Sequence, residues 1–144
     1  MPGIFASINT ISRCQTLFRN KELGAELNGS YHMFVYSVIR NPGSSQEELA
    51  KRLCLNKSTV ARALASLEAE GFVERVPDSE DKRRLLVYPT EKMEAIYPEV
   101  RRVSLDWRQR LLSDLSPEET EFAKTVLEKM EYAARRIVGE EGEE

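Results

Sequence analysis

Apolar residues recur at helical spacing in six stretches of the chain, and the two stretches nearest its middle are short and adjacent. The first begins at Ser45, and Glu48 three residues later completes a capping box, in which each side chain accepts a hydrogen bond from the other residue's backbone N–H. The second covers about residues 57–70 and ends at Gly71, since glycine adopts the left-handed backbone that closes a helix. The pattern predicts two short helices joined by a tight turn over residues 54–56.

A hairpin is predicted directly after these helices. Residues 72–76, with Phe72, Val73 and Val76 apolar, and the apolar run 85–88 are typical of strands, and a charged loop, residues 77–84, separates them. A short extended piece near Ser44 is expected to add a third strand. Two helices of this kind form a helix-turn-helix, whose second helix can place its first turn on base edges in the DNA major groove. The helices alone also fit an ordinary helical hairpin, but the basic hairpin that follows them, a wing, favours a winged helix.

Four further amphipathic stretches flank this central segment. Residues 3–24 place apolar side chains on one stripe, and residues 31–39 have them at i, i+3, i+4, i+7 and i+8. Beyond the wing, Thr90 is the predicted cap of a long helix that Pro98 is expected to kink or break. Ser116, followed by proline and two glutamates, is a strong start signal for the last helix. The expected fold class is therefore mainly α (α+β), with one small sheet.

Three patterns in the central segment carry a resemblance to a known family. They are Leu67-Glu68-x-x-Gly71-Phe72-Val73-x-Arg75, Asp78-x-x-Asp81-Lys82-Arg83 and Val87-x-x-Thr90-Glu91-Lys92. Together they resemble the MarR-type bacterial transcription regulators, and flanking helices of suitable length extend the resemblance over nearly the whole chain. Three positions depart from that family's pattern: Cys54 where glycine is frequent, Pro89 where leucine is usual, and Met93 where many members have glycine. None of the three is a residue expected to contact DNA.

The resemblance implies one MarR-like domain over residues 1–144. Within it, residues 30–92 would form the winged helix-turn-helix DNA-binding core, and residues 1–27 and 93–138 would form dimerisation helices that interlock across a two-fold axis. Residues 139–144 are an acidic tail that is expected to fray. A two-fold homodimer presents two recognition helices to half-sites about one helical turn apart, so the expected partner is double-stranded DNA with a pseudopalindromic operator. Periodicity alone does not separate a dimer face from an intramolecular core.

Net charge is the one feature that argues against DNA binding. The chain of 144 residues carries a net charge of −3, with a pI near 5.4. The acidity lies mainly in residues 117–144, whereas residues 44–90 carry as many basic as acidic groups. Electrostatic affinity depends on where cations lie against phosphates more than on the total charge. A neutral winged segment therefore predicts modest non-specific affinity and a need to bind as a dimer.

The residues expected to read base edges lie in the first turns of the second short helix: Ser58, Thr59 and Arg62. Arginine can pair bidentately with guanine, which contributes about 1–3 kcal/mol of discrimination. Lys57 and the N-terminus of the same helix are expected to meet phosphate.

The wing supplies the second set of expected contacts. The resemblance implies that Arg83 enters the minor groove, where a narrow A·T tract strengthens the negative potential. Asp81 is expected to fix that arginine or the wing through a salt bridge, and Lys82 and Arg84 are expected to contact phosphates. The alternative for each of these residues is a solvated surface charge.

The signal that the protein senses is less defined. In the resembling family an inducer commonly binds between the dimerisation helices and the winged module, and Tyr31, His32 and Tyr36 lie in that neighbourhood. A small aromatic ligand, phenolic or an aromatic carboxylate, is suggested by analogy. The alternative is that these three side chains pack in the core.

Oxidation of a thiol is a second route to regulation. Cys14 lies in the first helix, as the sensing cysteine does in the organic-peroxide branch of the family, and Arg13 could lower its pKa. The surrounding residues do not match that branch, so a buried, inert thiol is the favoured interpretation. Cys54 is expected to be a turn residue placed by packing. With two cysteines, the chain has neither a disulfide framework nor metal-ligand spacing.

No catalytic constellation is present in the sequence, so an enzyme is not expected. The chain has one histidine, no glycine-rich phosphate loop and no paired-cysteine motif, and no cofactor or metal is expected. It has no membrane-spanning run and no signal-peptide pattern, which makes the cytoplasm the expected location. The sequence therefore predicts a sequence-specific DNA-binding transcriptional regulator, a dimeric repressor relieved by a small-molecule inducer. The alternatives are a winged-helix protein-interaction module without DNA binding, or a redox-sensing regulator that acts through Cys14.

Overall fold

The computed structural model describes residues 3–24, 27 and 31–139. The helices in these residues are α1 (Ile4–Leu23), α2 (His32–Arg40), α3 (Gln46–Leu53), α4 (Lys57–Ala69), α5 (Glu91–Leu111) and α6 (Pro117–Ile137), and the strands are β1 (Ser44–Ser45), β2 (Val73–Pro77) and β3 (Leu85–Pro89). The predicted fold class, mainly α with one small sheet, is confirmed. The expected acidic tail lies, from residue 140 onward, outside the described residues.

The three strands form one antiparallel sheet in the order β1-β3-β2. The pairs Ser44–Val87 and Ser45–Leu86 join β1 to β3, so the expected third strand is confirmed. The wing is the hairpin of β2 and β3, in which Val73 faces Pro89 and Pro77 faces Leu85. Both prolines lie at strand ends, where a missing backbone N–H is tolerated.

Local capping sets the boundaries of the two short helices. The Ser45 Oγ accepts from the Glu48 N–H at 3.1 Å and a Glu48 carboxylate oxygen accepts from the Ser45 N–H at 3.0 Å, which is the predicted capping box. The Asn56 Oδ1 accepts from the Thr59 N–H at 2.8 Å and so caps α4. Gly71, at φ +83°, lies one residue beyond the C-cap of α4 and turns the chain into the wing. The predicted helix-turn-helix is present with these caps.

The core lies beneath the two short helices and the wing. Its side chains come from α2, α3, α4, the sheet and the first half of α5: Phe34, Val35, Val38, Leu49, Val60, Leu64, Leu67, Phe72, Val87, Met93 and Val100 are all buried. Because these apolar groups leave water together, they hold α4 and the wing in one fixed arrangement.

Pro98 does not break α5, so the expected break is wrong, while the alternative of a kink stays a prediction. The helix continues from Glu91 to Leu111 with Pro98 inside it. Met93 on one side of Pro98 and Val100 and Val103 on the other are buried. Packing on both sides holds the helical path, and the carbonyl that loses its proline partner belongs to an exposed residue, Glu94.

Candidate nucleic-acid interface

The first turn of α4 is directed to solvent. Lys57, Ser58 and Arg62 are exposed and Thr59 is half-buried, whereas Val60 on the opposite face is fully buried. Ser58 and Arg62 are four residues apart and Thr59 and Arg62 three apart, so the three share one face of the helix. The described helices therefore leave Ser58 and Arg62 uncovered and Thr59 partly covered.

The N-terminus of α4 is ordered by its cap. The Ser58 Oγ donates to the Asn56 Oδ1 at 2.9 Å, and the same oxygen accepts from the Thr59 N–H. This cap fixes the direction in which the helix presents its first backbone N–H groups, and such groups with the helix dipole favour an anion at this end.

Two aspartates build the turn at the wing loop, residues 78–84. The Asp78 N–H donates to the Arg84 carbonyl at 2.8 Å and closes the hairpin, and the Arg84 N–H donates to the Asp81 carbonyl at 2.9 Å. The Asp81 Oδ1 accepts from the Arg83 N–H at 3.1 Å and lies 3.5 Å from the Arg83 Nε. The Arg83 side chain is 95% exposed, so the turn presents its guanidinium to solvent.

Helix α3 joins α4 and the wing loop through two consecutive glutamates. Glu47 lies 3.4 Å from the Lys57 Nζ, and Glu48 accepts from the Arg84 Nη2. Adjacent residues of one helix thus contact the start of α4 and the base of the wing loop. These two contacts place Lys57 and Arg84 on one continuous side of the molecule.

A second set of contacts fixes the base of the wing. The Glu68 carboxylate accepts from both the Arg75 N–H and the Arg75 Nη2, at 3.0 and 3.1 Å, and the Arg75 Nη1 donates to the Gln46 Oε1 at 3.0 Å. The side-chain hydrogen bond from Arg75, followed by its backbone N–H, lowers the pKa of Glu68 below its usual value. Arg75 therefore links β2 to both α3 and α4.

A pocket of about 490 Å³ lies on the side of α2 that faces α1, α3 and α5. His32 and Tyr36, two of the three residues predicted for a ligand, line it, and their rings meet edge to face with centroids 6.3 Å apart. Tyr31 is not part of this lining and instead packs edge to face on Phe34. A volume of this size suits a small organic molecule.

Three arginines in the pocket lining were not predicted from the sequence: Arg19, Arg40 and Arg52. Arg52 donates to the hydroxyls of Ser37 and Ser44 at 3.2 and 3.3 Å, which connects α3 to α2 and β1. Arg40 lies over the Tyr36 ring, 5.2 Å from its centroid. The lining is thus cationic as well as aromatic.

Arg19 is the most unusual of these cations. It is buried, and its Nε has no hydrogen-bond partner among the described residues. Burial lowers the pKa of Arg19 to about 10, partly offset by Tyr36, so the guanidinium is still charged at neutral pH. One feature of the sequence indicated that Arg19 would be buried: it lies eleven residues after Ile8, on the same apolar stripe of the helix.

Both thiols differ from their predicted environments. Cys14 is exposed on α1 rather than buried, and the nearby Arg13 guanidinium donates to the Thr10 hydroxyl at 3.3 Å. Cys54 is also exposed, so packing does not dictate its place. Its φ of +54° is the left-handed conformation at the C-cap of α3, and the backbone path of the turn fixes its position instead.

The described residues offer neither a metal centre nor a membrane span. No cluster of three or more histidine, cysteine or acidic side chains there could hold a metal ion. None of the helices within that part of the chain is long and apolar enough to cross a membrane.

Comparison with known proteins identifies relatives of this fold and sequence. Residues 26–84 match the model of the MarR family. The chain is 30% identical over 131 residues to the uncharacterized HTH-type transcriptional regulator YybA of Bacillus subtilis (strain 168), and the match covers 90% of this chain and 87% of YybA.

Solved structures agree with these sequence matches. A crystal structure of MarR superposes with a TM-score of 0.84 at 30% identity and covers 96% of this chain and 95% of that one. A mutant of MarR from E. coli, crystallised with operator DNA, superposes with a TM-score of 0.79 at 26% identity and covers 85% of this chain and 89% of that one. The chain thus belongs to the MarR family of DNA-binding, winged helix-turn-helix transcriptional regulators.

Proposed function

We propose that the protein is a homodimeric repressor that binds a pseudopalindromic operator and releases it when a small molecule binds. The observation that carries this proposal is the shared side of α4 and the wing loop, joined through Glu47 and Glu48 of α3. An exposed helix start and an exposed basic turn on one side fit the neighbouring grooves of a duplex.

The first turns of α4 are assigned to the major groove. Arg62 reads a guanine through two hydrogen bonds to its O6 and N7, and Ser58 and Thr59 contact the neighbouring base edges. Lys57 and the capped helix N-terminus contact phosphate, which sets the register of the helix on the duplex.

The wing loop is assigned to the adjacent minor groove. Arg83 enters that groove, because it is almost fully exposed and a narrow A·T tract attracts guanidinium groups. Asp81 keeps the turn in shape through its bond to the Arg83 N–H, while Lys82 and Arg84 contact the flanking phosphates.

The dimer is assigned to the flanking helices, residues 1–27 and 93–138. Large apolar side chains of α1 and α6 are exposed in the single chain, among them Phe5, Leu17, Phe122 and Tyr132. A two-fold partner would cover such a surface, and the two copies of α4 would then meet half-sites about one helical turn apart. The complex of the E. coli MarR mutant with operator DNA supports the same use of the fold here.

Binding experiments with matched variants test the DNA assignment. Arg62→Ala and Arg83→Ala should each weaken binding to the DNA upstream of the protein's own gene, by about 1–3 kcal/mol for Arg62. Arg101→Ala, which removes the same charge from the exposed surface of α5, is the control and should bind like the wild type. Unchanged affinity of both variants, with the fold intact, would contradict the assignment. Indifference of the wild type to any duplex at low salt would favour a protein-interaction module instead.

The pocket between α1, α2, α3 and α5 is assigned to the inducer. Arg19 supports an anionic ligand, because its buried Nε lacks a partner in the described residues and an anion would satisfy it. His32 and Tyr36 provide the aromatic walls that a flat ring requires. A ligand that bridges Arg19 of α1 and Arg52 of α3 would act on the helix-turn-helix directly, so aromatic carboxylates are the favoured class.

Ligand-induced stabilisation tests this second assignment. Benzoate or 2-hydroxybenzoate should raise the unfolding temperature of the wild type and weaken operator binding, whereas benzyl alcohol, which has no charge, should do neither. Arg19→Met should abolish the response to both carboxylates and leave the unliganded protein at least as stable, because a poorly compensated buried charge is removed. A full response in Arg19→Met would contradict the site. Relief of repression is then measured with a reporter gene behind the operator.

A further inference from the structure

Two cations expected to contact DNA phosphates already form ion pairs with carboxylates of the same chain. Lys57 pairs with Glu47 at 3.4 Å, and Arg84 pairs with Glu48. These residues come from three elements, α3, α4 and the wing loop, so the pairs form only when the winged segment is folded.

The Glu48 carboxylate is held in place from two sides. One of its oxygens accepts from the Ser45 N–H in the capping box at 3.0 Å, and the other accepts from the Arg84 guanidinium. A carboxylate with one oxygen anchored to the backbone does not swing away freely, so Arg84 has a fixed counterion. The Glu47–Lys57 pair has no such anchor among the described residues, and its side chains are 73% and 77% exposed.

The two counterions cover only some of the cations assigned to DNA. Neither Arg62, assigned to base edges, nor Lys82 makes an ion pair with any described residue. Carboxylates from another element thus neutralise Lys57 and Arg84, two of the cations assigned to phosphate, whereas Arg62 and Lys82 have no such counterion among the described residues.

We propose that Glu48, with a smaller contribution from Glu47, is an intramolecular counterion that competes with DNA phosphate and limits affinity for DNA of any sequence. This inference rests on the proposed DNA binding. A phosphate oxygen needs the same guanidinium donors that Glu48 occupies, so Arg84 must leave Glu48 before it can neutralise a phosphate and release the cation condensed there. Non-specific complexes depend on phosphate contacts alone, so this competition keeps them weak, whereas operator sites retain the additional base contacts.

The experiment measures binding of a random-sequence duplex to the full chain over a range of salt concentrations. Glu48→Gln removes the charge but keeps the cap, since glutamine serves in a capping box as glutamate does. The variant should bind more tightly than the wild type, with a salt slope steeper by about 0.9, the value of one additional phosphate contact. Its advantage should therefore grow by about 3.5-fold for each fourfold drop in salt. Glu47→Gln should act in the same direction with a smaller effect.

The matched control separates this local competition from net charge. Glu99→Gln removes one charge from a glutamate–arginine pair of the same kind, in which Glu99 lies 2.7 Å from Arg102 on α5. This variant should keep the wild-type salt slope.

Four results would overturn the proposal. They are an equal effect of Glu48→Gln and Glu99→Gln, an unchanged slope, weaker binding by Glu48→Gln, or a shift of its urea midpoint that reveals a mainly structural role. If neither the wild type nor any variant binds DNA at low salt, the proposed function itself has failed. The absence of wild-type binding distinguishes that failure from a failure of the counterion proposal alone.

Discussion

Both the winged segment, residues 44–90, and α6 place apolar residues at helical spacing, but they cover those residues differently. In the winged segment Leu49, Val60, Leu64 and Leu67 are fully buried by the segment itself, α2 and α5. Within the described residues α6 buries none of its side chains, and Phe122 is 72% exposed. The apolar residues of the winged segment are thus buried within one chain, whereas those of α6 require a second surface to cover them.

Helix α1 lies between these two extremes. Phe18 packs on Trp107 of α5 with ring centroids 5.4 Å apart, while Phe5 and Leu17 are exposed. The polar contact of α6 with the winged segment is made by Arg135, which donates to the carbonyls of Lys51 and Arg52 at the end of α3, at 3.2 Å each. Helices α1 and α6 thus leave large apolar side chains exposed, and this surface remains for a partner.

The largest expected effect comes from the winged core. Leu67→Ala should lower the free energy of unfolding by about 2–5 kcal/mol, because the cavity left beneath α4 cannot collapse fully. Urea unfolding measures this change. The variant should keep the wild-type assembly state, since Leu67 is fully buried and does not reach the flanking helices' exposed surface. A loss below about 1 kcal/mol would contradict the packing described for this residue.

A substitution on the exposed face of α6 is expected to affect stability less and to weaken the dimer. Phe122→Glu should raise the dissociation constant of the dimer at least about 10-fold, because a charge would be buried in the interface. Sedimentation equilibrium measures it. Lys124→Glu is the control, since two residues correspond to about 200° around the helix and place it near the opposite face. A dimer unaffected by Phe122→Glu would remove α6 from the proposed interface.

The Glu68–Arg75 contact at the base of the wing should make stability depend on pH. Because the folded-state pKa of Glu68 is below its usual value, its contribution is fully present above that usual value and is lost as the pH falls through the folded pKa. Glu68→Gln should therefore lose less stability than the wild type below about pH 5, by under about 1 kcal/mol because the pair is partly exposed. Glu74→Gln, next to Arg75 in β2, is the control. Parallel curves for the wild type and Glu68→Gln would exclude the contribution.

The smallest effect is expected at the turn between α3 and α4. Cys54→Gly should stabilise the protein by up to about 1 kcal/mol, since glycine adopts the left-handed backbone without a side-chain clash. The urea midpoint reports it, and Cys54→Ala, which keeps the Cβ, should show no gain. A less stable Cys54→Gly would mean that the thiol contributes more than the backbone conformation costs.

The parts of the fold that the sequence predicted correctly depend on neighbouring residues. The capping boxes at Ser45 and Ser116 and the cap at Thr90 each involve residues three apart in the chain, so a short window contains the whole interaction. The break expected at Pro98 was wrong for the opposite reason, since packing of α5 against other elements overrides the local preference.

The electrostatics of the site could not be predicted from the sequence. The Glu48–Arg84 pair joins residues 36 apart, so no local pattern indicates which carboxylate meets which cation. Arg19 became part of the pocket because α1 packs on α5, whereas the sequence showed only its helical stripe. The roles of Ser58, Thr59, Arg62 and the wing residues in DNA binding stay predictions.

The central claim is that α4 and the wing loop contact neighbouring grooves of one duplex, and groove-modified operators test it most directly. Replacing the contacted guanine by 7-deazaguanine removes a major-groove acceptor, and replacing adenine by 2,6-diaminopurine adds an amino group to the minor groove. Wild-type binding should weaken on both duplexes, Arg62→Ala should be insensitive to the first change only, and Arg83→Ala to the second only. Variants that lose as much affinity as the wild type on both modified duplexes would contradict the claim.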